Sequence, residues 1–364
     1  MNARTDFHTL TVADVKRETA DAVAVTFAVP ADLADTFRFE AGQHLVLKLN
    51  LDGAEQRRNY SISTGGRHRH LRIGIKRVAG GLVSGWAQTG LKPGDQVAVM
   101  PPQGRFMLPK DEGEARHFLM IAAGAGITPI VAMVREALEL RPQSRVTLLY
   151  GNRTAAQSMF LAEIEDLKDA HVGRFRFLPV FSDRDETDTD LLQGRIDGEK
   201  IKALARRMID LSSVDHAFVC GPGTMIREAR DALQTLGLPR ERFHHEFFAA
   251  GGGAARPSHT SAAKPAPVTG SAGQEVVAIL DGARHRFVIQ PDEHVLQAAL
   301  RAGVKAPYSC TGGMCCTCRA RVVEGSAAMT VNYSLEPWEI EKGFVLTCQA
   351  KPTAGRLVVD YDAM

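Results

Sequence analysis

Six cysteines occur in this 364-residue chain, and four of them, Cys310, Cys315, Cys316 and Cys318, fall within nine residues. Cys348 follows after 29 intervening residues, and Cys220 stands alone upstream. Packing does not gather thiols in this way, because a buried cysteine serves as a small apolar side chain with no need of others like it. The N-terminal run Met1-Asn2-Ala3-Arg4-Thr5-Asp6-Phe7-His8 lacks the apolar core of roughly 7 to 15 residues that a signal peptide needs. A cytoplasmic location is therefore expected. In that reducing compartment clustered cysteines bind metal or do redox chemistry more often than they form disulfides.

The spacing narrows the choice. C-x4-C-x2-C with a distant fourth cysteine is the pattern of a plant-type [2Fe–2S] site, in which four thiolates hold two irons while backbone N–H groups of the loop donate to the sulfurs. The expected ligands are Cys310, Cys315, Cys318 and Cys348. A structural zinc site is the alternative, although that chemistry more often presents paired C-x2-C knuckles. Cys316 is surplus, either a small non-ligand residue of the loop or a partner for ligand exchange with Cys315. Around the loop, Glu275 to Asp281 and Arg284 to Gln290 alternate as a hairpin and Asp292 to Ala302 reads as a helix, which suits a compact, β-grasp-like ferredoxin domain. The twelve histidines show no ligand spacing, and His244-His245 is expected at the surface.

At roughly 150 residues per domain the length predicts two or three domains. Residues 249–273 are almost entirely Ala, Gly, Pro, Ser and Thr, the composition of a flexible linker spanning about 25 to 30 Å root-mean-square. Up to about Phe106 the chain shows short alternating runs, such as His44–Leu49, Leu71–Lys76 and Gln96–Val99, with Gly42, Pro93-Gly94-Asp95 and Pro101-Pro102 read as turns. This is the grammar of an antiparallel barrel. After His117 buried strands alternate with helices: Phe118 to Ala122 before a helix from Pro129, Val146 to Tyr150 before Thr154 to Ala170, and Ala217 to Cys220 before a helix past Thr224. That alternation predicts a parallel α/β sheet. The expected division is 1–108, 109–248, the linker 249–273, and 274–364. With 45% hydrophobic and 24% charged residues and a net charge of +2, nothing argues for nucleic acid or anionic lipid. The longest uncharged stretch, Phe118 to Val134, is interrupted by two glycines and a proline, and it falls short of the roughly 20 apolar residues of a membrane span.

Four motifs carry chemistry. In Arg58-Asn59-Tyr60-Ser61 the Arg offers a planar fork for phosphate, the Tyr a flat face for a ring system and the Ser a hydroxyl for a ring nitrogen; an exposed turn with an incidental Arg also fits these residues. Gly80-Gly81-Leu82-Val83-Ser84 precedes a short helix, so its backbone can approach a pyrophosphate, or it is a plain turn. Gly124-Ala125-Gly126-Ile127-Thr128-Pro129 follows a strand and opens a helix, with Pro129 suited to the first helical position. Cys220-Gly221-Pro222-Gly223-Thr224-Met225 closes a later strand, where a small buried cysteine is the plainer explanation. After the second α/β strand, Tyr150-Gly151-Asn152-Arg153 holds no acid for a ribose 2′-hydroxyl, and Arg153 suits a 2′-phosphate, which favours NADPH over NADH.

In this order the motifs resemble the ferredoxin-NADP reductase superfamily, with its R-x-Y-S/T, Gly-x-x-Ser, G-x-G-x-x-P and C-G-P-x-x-M stretches. The resemblance implies Arg58 at the phosphates of FAD, Tyr60 against its ring, Ser61 near its N5, and Gly81 and Ser84 at the pyrophosphate. It further implies Gly124, Gly126, Thr128, Gly221 and Pro222 at the nicotinamide nucleotide, Cys220 where the two rings meet, and Phe248, from Glu246-Phe247-Phe248, beside the flavin. A nicotinamide delivers two electrons and an iron–sulfur cluster carries one, so a flavin is the needed converter. With its ferredoxin domain last, the chain is similar over nearly its whole length to the reductase subunits of bacterial phenylacetyl-CoA epoxidase complexes. Leu149 to Thr154, Asn332 to Pro337 and Gly343 to Gln349 are the family-like stretches. That resemblance implies electron delivery to a di-iron oxygenase, with ring- or steroid-hydroxylating oxygenases as other acceptors and a zinc-stabilised binding module as a different class. Glu336, Glu339 and Glu341 form a candidate docking patch, or simply an exposed helix start.

Overall fold

The computed structural model of the protein describes residues 6–68, 70–110, 115–183, 189–248 and 273–363. Apart from Gly273, the expected linker lies outside the described residues. The chain divides into two compact units, Phe7–Gly252 and one holding Gly253–Met364.

The first unit begins with an antiparallel sheet of β1 (His8–Thr19), β2 (Ala22–Ala28), β3 (His44–Leu51), β4 (Ala54–Ser61), β5 (Leu71–Lys76) and β6 (Gln96–Gln103), in the order β4-β3-β6-β1-β2-β5. A bridge between Ile62 and Ile73, with the Ser63 N–H donating to the Arg72 carbonyl at 2.8 Å, joins the two outer strands and closes a barrel. Leu10, Val25, Leu45, Ile73 and Val99 fill it. Pro101-Pro102 is not a turn but part of β6. His44 pairs with Gln103 and Val46 with Met100, so the prolines occupy a bulge, where a missing N–H breaks no ladder bond. Helix α1 (Leu82–Thr89) follows β5.

Next comes a parallel sheet of β7 (His117–Ala123), β8 (Arg145–Asn152), β9 (Phe175–Phe181), β10 (His216–Gly221) and β11 (Phe243–Phe247), ordered β11-β10-β7-β8-β9. Helices α2 (Ile127–Leu140) and α3 (Leu161–Ala170) cover the face that carries Met120, Ala122 and Leu148. On the other face α4 (Gly198–Arg207) and α5 (Gly223–Thr235) cover Leu119, Ile121 and Val219. Burial on both faces is why these strands read as unbroken apolar runs. Two boundaries differ from expectation. α2 starts at Ile127, which puts Pro129 third in the helix, still within the first turn where its missing N–H has no intrahelical acceptor. The segment from Thr154 is a 3-10 turn at Ala155–Gln157, and only Leu161 begins a helix, because Phe160 takes a left-handed conformation with φ of 57°.

The second unit is a mixed sheet of β12 (Gln274–Leu280), β13 (Ala283–Ile289), β14 (Arg319–Met329), β15 (Phe344–Leu346) and β16 (Ala350–Asp360), ordered β13-β12-β16-β14-β15. Only β12 and β16 pair in parallel. Helix α6 (Val295–Arg301), shorter than the expected 292–302, buries Val295, Leu296, Ala298 and Ala299 against the sheet. A short helix α7 (Pro337–Glu341) precedes β15. No helix among the described residues is long and apolar enough to cross a membrane.

Candidate redox sites

Strand order in the parallel sheet reverses between β7 and β10, and the crevice beyond the carboxyl ends of such strands is where open α/β sheets take ligands. The two glycine motifs meet there. Gly124–Gly126 forms a single 3-10 turn, and a Cβ on Gly124, at φ 54°, would project into open space. A Cβ on Gly126 would collide with the Cys220 carbonyl, so glycine is what lets the turn cross the end of β10. Thr128 is buried, with Oγ1 donating to the Ala125 carbonyl at 2.8 Å. Gly221 ends β10, and Pro222 is the residue from which α5 departs.

Cys220 lies opposite Glu246 in the β10–β11 register and is wholly buried. Burial pushes its thiol well above the ordinary range, and the Glu246 carboxylate adds to the effect. From the barrel side, Ser61 Oγ donates to Glu246 Oε2 at 3.3 Å. His44, the partner of Ser61 in the β3–β4 register, has Nδ1 3.8 Å from Glu246 Oε1. Ser61, Glu246, Cys220 and His44 thus form one polar cluster at the junction of the barrel and the parallel sheet. Sequence reading treats Glu246 only as part of a motif and passes over His44. The signal for His44 was hairpin register, since a residue facing Ser61 on the neighbouring strand shares its site.

Of the other residues expected at the flavin, Arg58, Tyr60, Gly81 and Ser84 lie along the barrel. Arg58 is exposed on β4, with Nη1 donating to the Arg57 carbonyl at 2.7 Å and Nη2 to Gln56 Oε1 at 3.2 Å. Tyr60 packs half-buried against the barrel core, and burial raises its phenol pKa. Gly81 caps α1, while Ser84 Oγ accepts from the Val78 N–H at 3.1 Å and donates to the Gly81 carbonyl at 3.3 Å. Its hydroxyl therefore shapes the turn, leaving the amides of the first helical turn to meet an anion. Phe248 packs on the core shared by barrel and parallel sheet, and Arg153 is exposed just beyond β8. His244 is half-buried, not at the surface as expected, and stacks on Phe218 at 4.6 Å between ring centroids.

In the second unit Cys310 lies beside Cys315 and Cys318 beside Cys348, and Cys315 is also near enough to act electrostatically on Cys318 and Cys348. Two irons take four thiolates two by two, which this arrangement allows. The loop backbone curls through positive φ at Thr311, Gly313 and Cys316. This turns the N–H groups of Gly312 and Met314 toward Cys310 and that of Gly313 toward Cys348, the donors that a thiolate-held cluster needs. The residues fit a [2Fe–2S] group. Cys316 stands outside both pairs, with Sγ donating to Ser334 Oγ at 3.0 Å. Glu339 is fully buried against Arg319 at 2.8 Å, so it has no place in an acidic surface patch.

Comparison with known proteins identifies three cofactor-binding domain families along the chain. Residues 9–108 match the oxidoreductase FAD-binding domain family, 120–231 the oxidoreductase NAD-binding domain family and 278–353 the 2Fe-2S iron-sulfur cluster binding domain family. Among curated proteins, a subunit of 1,2-phenylacetyl-CoA epoxidase from Escherichia coli K12 is 44% identical over 99% of each chain. The ferredoxin reductase component of 3-ketosteroid-9-alpha-monooxygenase from Rhodococcus rhodochrous is 31% identical, covering 97% of this chain and 96% of that one. Among solved structures, phthalate dioxygenase reductase shares the fold at a TM-score of 0.55 and 22% identity, over 97% of this chain and 98% of its own. The chain is an oxidoreductase with FAD-, NAD- and [2Fe–2S]-binding domains, and it belongs to the family of the phenylacetyl-CoA epoxidase reductase subunits within the ferredoxin-NADP reductase superfamily.

Proposed function

We propose that this chain is the reductase of a phenylacetyl-CoA epoxidase, drawing electrons from NADPH and delivering them one at a time to a di-iron oxygenase. The observation that carries the redox part is the polar cluster of Ser61, Glu246 and Cys220, built from the barrel and the parallel sheet at the strand-order reversal. Bound FAD would supply the exchange between a two-electron nicotinamide and a one-electron iron–sulfur carrier.

In this reading Arg58, Gly81 and the first amides of α1 hold the FAD phosphates, and Tyr60 and Phe248 flank its ring. Ser61, oriented by Glu246, presents its hydroxyl toward the reacting edge. Gly124, Gly126, Gly221 and Pro222 give the nicotinamide nucleotide a backbone-lined seat, and Thr128 and Cys220 bound the space where the two rings come together. Cys310, Cys315, Cys318 and Cys348 hold the cluster. Domains at 1–108, 109–248 and 274–364 divide these tasks. Arg153, just beyond β8 and with no acid following it in the chain before Glu163, supports NADPH over NADH.

Similarity to the epoxidase subunit over 99% of both chains supports the acceptor. The test is NADPH-dependent epoxidation of phenylacetyl-CoA by the reconstituted oxygenase with and without this chain. Product that forms at the same rate in its absence would remove the acceptor assignment. In the same assay kcat/KM for NADPH is expected to exceed that for NADH by about tenfold, the worth of roughly 1.4 kcal/mol of phosphate recognition, and an inverted ratio would assign NADH.

A further inference from the structure

We propose that Gly74, on the outer face of β5, is a spacer that sets how closely the Gly124–Thr128 turn approaches the barrel, and so positions the nicotinamide for transfer. The inference rests on the reading above that Thr128 borders the nicotinamide.

Alternate residues of a strand share a face. In β5, Leu71, Ile73 and Ile75 point into the barrel core, which leaves Arg72, Gly74 and Lys76 facing the parallel-sheet layer. All three positions are engaged there. Arg72 Nη2 pairs with Glu163 Oε2 at 2.9 Å, and Lys76 Nζ donates to the Gln157 carbonyl at 3.1 Å. Between them, a Cβ on Gly74 would lie 2.5 Å from Thr128 Cγ2, 2.9 Å from Met159 Cε and 3.1 Å from Phe160 Cζ. Gly74 sits in regular strand pairing with Ala24, so what it supplies is space.

Thr128 and Phe160 are held in place. Thr128 is fixed by its own hydroxyl bond to the Ala125 carbonyl, so its methyl cannot swing away without breaking it. Glu163 Oε1 also binds Arg135 Nη2 of α2 at 2.8 Å, tying α2 and α3 to β5 through one carboxylate. Burial would raise the Glu163 pKa, but the two guanidiniums outweigh it and keep the group ionised. On the far side of Phe160, its N–H donates to Glu18 Oε2 of β1 at 3.2 Å. The contact between Gly74 and the Thr128 methyl is therefore clamped and cannot relax by a slide of the whole layer. Any extra atom on Gly74 must instead push the nucleotide-side turn outward.

The test is a cycle of three full-length variants, Gly74→Ala, Thr128→Ser and the double variant, followed by anaerobic stopped-flow reduction with NADPH. Gly74→Ala is expected to lower the limiting rate of flavin reduction by about a hundredfold, the cost of a misplacement near 1 Å, with the apparent Kd for NADPH little changed. The long-wavelength charge-transfer absorbance of the NADP-bound reduced protein should weaken in step. Thr128→Ser removes the methyl and keeps the hydroxyl, and the methyl introduced at position 74 then fills the gap, so the double variant should recover most of the rate and the absorbance. A Gly74→Ala protein that reduces like the parent, or a double variant no better than the worse single one, overturns the proposal. If Gly74→Ala does not hold flavin, Thr128→Ser decides against the double variant, where a rate that does not rise refutes the spacer. A parent chain that NADPH does not reduce would instead refute the reductase reading.

Discussion

Glu339 shows how much one residue can hide from sequence reading. Within Glu336, Glu339 and Glu341 it reads as one charge of an exposed run, yet it is completely buried. Its Oε1 binds Arg319 Nε at 2.8 Å and its Oε2 accepts the Glu336 N–H at 3.0 Å, while the Arg319 guanidinium lies 3.4 Å from the centroid of the Phe344 ring. Arg319 directly follows Cys318, one of the proposed ligands, so this pair braces the cysteine loop against α7. Removing one partner of a buried ion pair strands the other charge, at a cost of about 3 to 5 kcal/mol. Glu339→Gln should therefore lower the urea midpoint for loss of the cluster absorbance and leave flavin-to-dye activity as in the parent. An unchanged midpoint would mean that the pair contributes nothing.

At the scale of elements, β10 and β11 carry a titratable stack. His216 Nδ1 lies 3.1 Å from His244 Nε2, and His244 stacks on Phe218. Burial first, then the neighbouring His216 and His245, lower the His244 pKa from 6.5 to about 4. Between those values the unfolded chain binds a proton that the folded one refuses, so stability rises with pH across the window. The contribution is complete above pH 6.5 and is lost as pH falls toward 4. The Phe7–Gly252 unit should lose denaturant resistance from pH 6.5 to 4, and His244→Phe should flatten that slope, as followed by flavin release. An equally steep slope in the variant would assign it elsewhere. Elements also mark where pattern reading falls short. Pro101-Pro102 inside β6 and the left-handed Phe160 before α3 are both set by tertiary partners, a bulge against β3 in one case and the Glu18 carboxylate in the other.

For the molecule as a whole, two compact units divide the redox domains. The FAD- and NAD-binding domains belong to the unit of barrel and parallel sheet, and the 2Fe-2S domain with its clustered thiols belongs to the other. A lesion in one unit should leave the chemistry of the other intact. Cys348→Ser is expected to keep NADPH-to-dye flavin activity near the parental value and to lose the reduced-state EPR signal of the cluster together with one-electron delivery to cytochrome c. Full delivery by this variant would contradict the ligand set.

The cysteine spacing, the order of the FAD-, NAD- and 2Fe-2S-binding domains and the glycine turns were legible in the chain alone, because each depends on local spacing: a closely spaced thiol loop, or a strand that runs into a helix. What required the folded structure was whatever joins residues far apart along the chain. Ser61 meets Glu246 across 185 positions, Glu163 ties Arg72 to Arg135, and Gly74 faces Thr128. No periodicity encodes such pairs. They follow from how the barrel and the parallel sheet pack, and close packing lets distances as small as one methyl group decide which residues touch.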